Sequence, residues 1–261
     1  MASTFAKFVL TPLIAFAMPL APAALAQQAT PDAPPPEAPP VEDSAAADAA
    51  AVARELTPAE IAAFNKAVTD FTAGQAAQQR GDNATAVAKY DGALPAIRTA
   101  VEADPSKADN VNFLANALYA DAAAYGALGQ MDKVITLYAE AVPHWRKVVE
   151  AKPTDLASRN ILAGILIQLG NQNLRDHDRG GADPFFEEAV TIARQSVTEQ
   201  PDDAVSKNVL LAALVGSSQT TTQEGIRDEA IALGKRMIAD GSIDATNKGS
   251  IETMTGAPAA Q

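Results

Sequence analysis

Only one stretch of this chain gathers residue types able to hold a metal ion: RDHDRGGADPFFEE, with Asp176, His177, Asp178 and Asp183. Carboxylate oxygens and an imidazole can ligate a divalent cation, and a metal-dependent enzyme centred on 176–183 is the reaction class this cluster would serve. The spacing completes no closed ligand motif, and a glycine-rich turn explains the same residues. His144, next to Trp145 in a helical stretch, reads as a packed or surface histidine. No nucleophile elbow, zinc-protease helix, phosphate loop or paired-cysteine motif occurs, so nucleophilic catalysis has no candidate and the chain reads as non-enzymatic and free of cofactors.

A second set of polar residues recurs. Asn112, Asn160 and Asn208 stand 48 apart, as do Pro105, Pro153 and Pro201; Gly81 and Gly129, Tyr90 and Tyr138, Pro95 and Pro143, and Arg98 and Arg146 keep that offset. A fixed period of tens of residues marks stacked supersecondary units, none able to bury its apolar face alone. The units are 57–104, 105–152, 153–200 and 201–248. Asparagine is a mediocre helix former, so its repetition calls for a hydrogen-bonding role. That role is either a ladder satisfying backbone groups of the preceding helix or turn, or a row of amides gripping the main chain of a bound peptide.

Each unit reads as a helical hairpin. In the second, Leu114, Leu118 and Ala122 share a face, Gly129 breaks the pattern, and Val134, Leu137, Tyr138 and Ala141 resume it. Pro153 is expected at the beginning of a helix. Thr57, Pro58 and Glu60 form a capping-box signature, with Leu56 and Ile61 as a hydrophobic staple, so the folded domain spans 56–248. Asp183-Pro184 predicts a helix start in the third unit, and Pro95 and Pro143 are expected to kink or end their helices.

Tyr125, Leu128, Gly129, Val134, Tyr138 and Ala141 resemble the tetratricopeptide repeat pattern, with looser matches at Ala86, Tyr90 and Ala93, at Ala182, Phe186 and Ala189, and at Ala230, Gly234 and Met237. Each unit exceeds the family's usual period of 34 by 48 − 34 = 14 residues, close to four helical turns, so two added turns per helix would keep the faces in phase. The resemblance implies an all-α, right-handed α-solenoid of four antiparallel helix pairs. Tyr90, Tyr138 and Phe186 are expected to pack between adjacent units, and the divergent Gly234 and Met237 fit a closing unit. In such families the first helices line a concave groove. That implies rows Phe71, Tyr119, Ile167, Val215 and Gln75, Ala123, Asn171, Gln219, with Asn116 beside them. Apolar pockets flanked by amides suit a bound peptide; the same apolar row equally suits a core.

The ends differ in character. Residues 1–26 read as an export signal: Lys7, an apolar stretch from Phe8 to Leu20, and a small-residue cut site between Ala26 and Gln27. Residues 27–55 form a Pro/Ala-rich linker, extended around Pro34-Pro35-Pro36, with an alanine-rich part from Ser44 to Ala53 able to form a loose helix. Residues 249–261 lack an apolar period and are expected to fray. The net charge of −12 becomes −12 − 1 = −13 on loss of Lys7, which disfavours nucleic acid and anionic lipid. The chain contains no cysteine, which excludes a disulfide framework. The sequence therefore predicts a periplasmic or secreted scaffold with a protein or peptide partner, no nucleic acid, and no stable membrane insertion. Self-assembly into a structural protein is the remaining alternative.

Overall fold

The computed structural model describes residues 53–220 and 225–256; the expected export signal and most of the expected linker lie outside them. The described residues form nine helices and no strand: α1 (Pro58–Gln79), α2 (Asn83–Ala103), α3 (Ala108–Ala127), α4 (Met131–Ala151), α5 (Leu156–Arg175), α6 (Arg179–Glu199), α7 (Ala204–Ser217), α8 (Ile226–Asp240) and α9 (Ala245–Thr255). Consecutive helices pack as hairpins, and each hairpin packs on the next through α2–α3, α4–α5 and α6–α7. The architecture is all-α and solenoid-like, and the 48-residue units each supply one hairpin. No described helix is long and apolar enough to cross a membrane.

Local chemistry sets the helix ends. Thr57 and Glu60 complete the capping box: the Thr57 N–H donates to the Glu60 carboxylate at 2.8 Å, and the Glu60 N–H donates to Thr57 Oγ1. Arg54 adds an ion pair, and together these partners hold Glu60 far below the usual carboxylate range. Ile61 remains 48% exposed, so the expected staple buries little. Asp82, Asp155, Asp178, Asp203 and Asp244 cap later helices through their side chains.

Two expectations about proline need correcting, and the helix ends allowed for at Pro95 and Pro143 do not occur. Pro105, Pro153 and Pro201 occupy the turns between hairpins, and the helices begin three residues later. Helix α6 starts at Arg179 behind the Asp178 cap, so Pro184 lies inside it. Pro95 and Pro143 also lie inside their helices, which continue to Ala103 and Ala151. All three prolines are on exposed positions, where water can reach the carbonyls their missing N–H groups leave free.

Aromatic side chains wedge into gaps lined by glycine and alanine. Tyr90 and Phe186 are fully buried and Tyr138 nearly so. A Cβ added at Gly74 would lie 2.5 Å from the Tyr90 ring, and one at Gly170 2.8 Å from Phe186. Gly216, on the next hairpin, abuts Phe186 more closely still, so this ring fills the seam between units. Tyr90 packs against Gly74 and Phe71 of its own hairpin. Of the repeat-signature residues in the second unit, Tyr125, Val134, Tyr138 and Ala141 are buried while Leu128 is exposed.

The fourth pair is shortened and is not the closing element. Helices α7 and α8 have 14 and 15 residues, against 20 and 21 for α5 and α6. Beyond them α9 packs on α7 and α8, with Ile251 buried against Gly234. The segment expected to fray from residue 249 is thus helical to Thr255. Gly234 diverges where Ile251 of α9 packs on it, and α9 is the last described helix of the stack.

Candidate functional site

The row expected to line a groove divides between interior and surface. Phe71 on α1 is 4% exposed, edge-on to Phe113 at 5.2 Å and tilted against Tyr90 at 5.4 Å; Ile167 on α5 is 3% exposed. Both belong to the core, one of the two roles the sequence left open for this row: helical periodicity marks an apolar face without saying which neighbour it meets. Tyr119 on α3 is half-buried, stacked on Tyr138 and edge-on to Trp145, and burial raises its phenol. Val215 on α7 is half-buried against the core.

The amide row is more open. Gln75 and Asn171 are half-buried, Gln219 is exposed, and the side chains of Gln75 and Asn171 make no hydrogen bond to other described residues. Gln219 donates weakly to the Val215 carbonyl at 3.4 Å. Asn116 donates to the Asn112 carbonyl at 2.8 Å and to its side-chain oxygen at 3.2 Å. Amides with unspent donors and acceptors, here Gln75 on α1 and Asn171 on α5, can each form a paired bond to an extended main chain.

The repeat asparagines make a ladder in the opposite direction from the one expected. Asn160 exchanges hydrogen bonds with Ser206 at the start of α7. Asn208 donates to the Ser242 carbonyl, accepts from the Asp244 N–H, and accepts from the Asn247 amide at the start of α9. Asn160 thus ties α5 to α7, and Asn208 ties α7 to the start of α9. Asn112 is instead engaged by Asn116 of its own helix.

The 176–183 turn does not converge on a cation. His177 is exposed with φ +62°, in the left-handed position that Gly81 and Gly129 occupy at +79° and +73° in the other hairpins. Asp176 accepts from Gln172, Asp178 caps α6 through the Gly181 N–H, and Asp183 accepts from Thr220. No group of three or more metal-ligating side chains is present among the described residues.

One unusual constellation escaped the sequence reading. Asp121 on α3 is fully buried, and neither carboxylate oxygen receives a hydrogen bond. Burial first, and then Asp91 of α2 within hydrogen-bonding reach, push its carboxyl well above the usual range, against the partial relief of Arg98 and Lys133. Tyr125 donates to Asp91 at 2.7 Å, and burial together with that carboxylate moves the phenol up to about 12. Arg98 turns away to fork onto Glu140 at 2.6 and 2.9 Å. The signal was present: Asp121 occupies the position of Ala73, Leu169 and Ser217 in the other units, a carboxylate on an apolar face. Arg159 is similar, 1% exposed where the second unit has Val111, with Glu199 as its ion-pair partner. No family model matches the chain, and no characterised protein matches it at a significant level.

Proposed function

We propose that this chain is an exported, tetratricopeptide-like scaffold of the cell envelope that binds a protein or peptide without catalysis. The observation that carries the reading is a pair of half-buried amides on the first helices of the first and third units, Gln75 and Asn171, whose side chains make no hydrogen bond to other described residues. Polar groups of this kind impose register on an extended peptide, while half-buried side chains such as Tyr119 and Val215 supply apolar contact. The net charge of −12 favours a neutral or basic partner over nucleic acid.

Photo-crosslinking amino acids placed at Asn171 and Gln75, and for comparison at exposed Ala139 on α4, test this in intact envelope. The expected result is a shared crosslinked species from Asn171 and Gln75 that Ala139 does not yield. Equal capture from all three positions, or from none, would overturn the reading.

A further inference from the structure

The joint between the first two hairpins carries a polar pair that the second joint lacks. Asp91 on α2 and Asp121 on α3 occupy the positions that Ala139 and Leu169 hold one unit later. Asp121 is fully buried, and neither of its oxygens receives a hydrogen bond from the described residues, whereas Asp91 reaches solvent and accepts from Tyr125 at 2.7 Å. Two ionised carboxylates are acceptors only and repel each other; with one proton between them, the buried acid donates to its neighbour. The groups around the pair do not replace that proton. Arg98 on α2 forks onto Glu140 of α4, with His144 in range of both charges; Lys133 of α4 is exposed; and the Tyr90 phenol of α2 donates to Gln78 at 2.9 Å.

The other end of the same joint is held without any proton of this kind. There the Asn110 amide donates to the Ala100 carbonyl at 3.3 Å, and Phe113 lies edge-on to Phe64 and Phe71 at 5.8 and 5.2 Å. We infer that this joint is a proton-operated hinge: while Asp121 and Asp91 share one proton, α2 and α3 stay closed, and loss of that proton to water swings the first hairpin open about Phe113. Burial and the Asp91 charge hold the Asp121 carboxyl above its usual range, so the closed state is the protonated one and rising pH opens it. Phe113 is 121 − 113 = 8 residues from Asp121 and 128 − 113 = 15 from Leu128 at the end of α3, about 12 and 22 Å of helix. Admitting one water, about 3 Å across, at Asp121 therefore separates the hairpin ends by roughly 5 Å.

Because the chain contains no cysteine, paired spin labels read the opening directly. In the full chain, Arg80→Cys with Leu128→Cys places labels on the exposed residues that end α1 and α3, across the first joint; Leu128→Cys with Asp176→Cys spans the second. Between about pH 6 and about pH 9.5 the first distance should lengthen by roughly 5 Å, while the second distance and the helical circular dichroism hold. Asp121→Asn, whose amide donates at every pH, should keep the first pair at its short distance throughout. Asp121→Leu, the residue type of the second joint, gives the same test should the amide variant not fold. An unchanged first distance, equal lengthening of both pairs, lengthening that persists in the substituted chains, or loss of helix alongside it would each overturn the inference.

Discussion

Arg194 on α6 forks onto Glu229 on α8 across 35 residues, whereas its repeat equivalents Arg98–Glu140 and Arg146–Glu188 each span 42. The asparagine links show the same deficit: Asn160 reaches Ser206 over 46 residues and Asn208 reaches Asn247 over 39. Both differences, 42 − 35 and 46 − 39, are 7, close to two helical turns. Removing two turns leaves every helix face in phase. The fourth hairpin thus keeps its contacts, and α9 takes the place a fifth unit's first helix would hold, with Asn247 where Ser206 stands.

Asn208 makes this closure. It accepts from the Asp244 N–H at 2.9 Å and from Asn247, and donates to the Ser242 carbonyl. Asn208→Ala should cost about 1–3 kcal/mol, because partners are left unpaired in a partly buried seam. Amide exchange in α9 should accelerate before that of α3–α6 does. Unchanged exchange in α9 would contradict this role.

Asp121 makes stability depend on pH with a definite sign. Its carboxyl is raised in the folded chain, so folded protein holds the proton more tightly than unfolded protein does. Stability is therefore undiminished below the unfolded value, roughly pH 4, and is lost as pH rises through the folded one. Asp121→Asn has no such proton to lose. The variant should match the parent near pH 4 and exceed it, by on the order of 2 kcal/mol, above neutrality. Thermal unfolding followed by circular dichroism across that range checks it; parallel pH profiles for the two proteins would be the contrary result.

Phe186 seals the seam between the third and fourth hairpins against Gly170 and Gly216. Gly216→Ala drives a methyl group into a fully buried ring and should destabilise by about 1–3 kcal/mol. Phe186→Ala alone should cost about 3–5 kcal/mol. In the double variant the added methyl has space, so the combined loss should fall short of the sum. Additive losses in urea unfolding would mean that the two residues do not compete for the same volume.

What the sequence determined by itself is the part governed by short-range rules and by repetition. The 48-residue period locates the four hairpins, Thr57 and Glu60 begin the first helix, and Gly129 closes α3 because the left-handed turn there suits a residue without a side chain. Even His177 was legible as a turn residue from its alignment with Gly81 and Gly129. Only tertiary structure decided matters that depend on which neighbour a face meets. An apolar row looks the same whether it is covered by the next helix or left open, so Phe71 and Ile167 proved to be core. The burial of Asp121 is set by the packing of α2 against α3, which no short-range rule of the sequence describes. The tail 249–255, without an apolar period of its own, is ordered by the contact of Ile251 with Gly234 and by the bonds of Asn247 to Asn208 thirty-nine residues earlier, partners present only once the preceding hairpins are stacked.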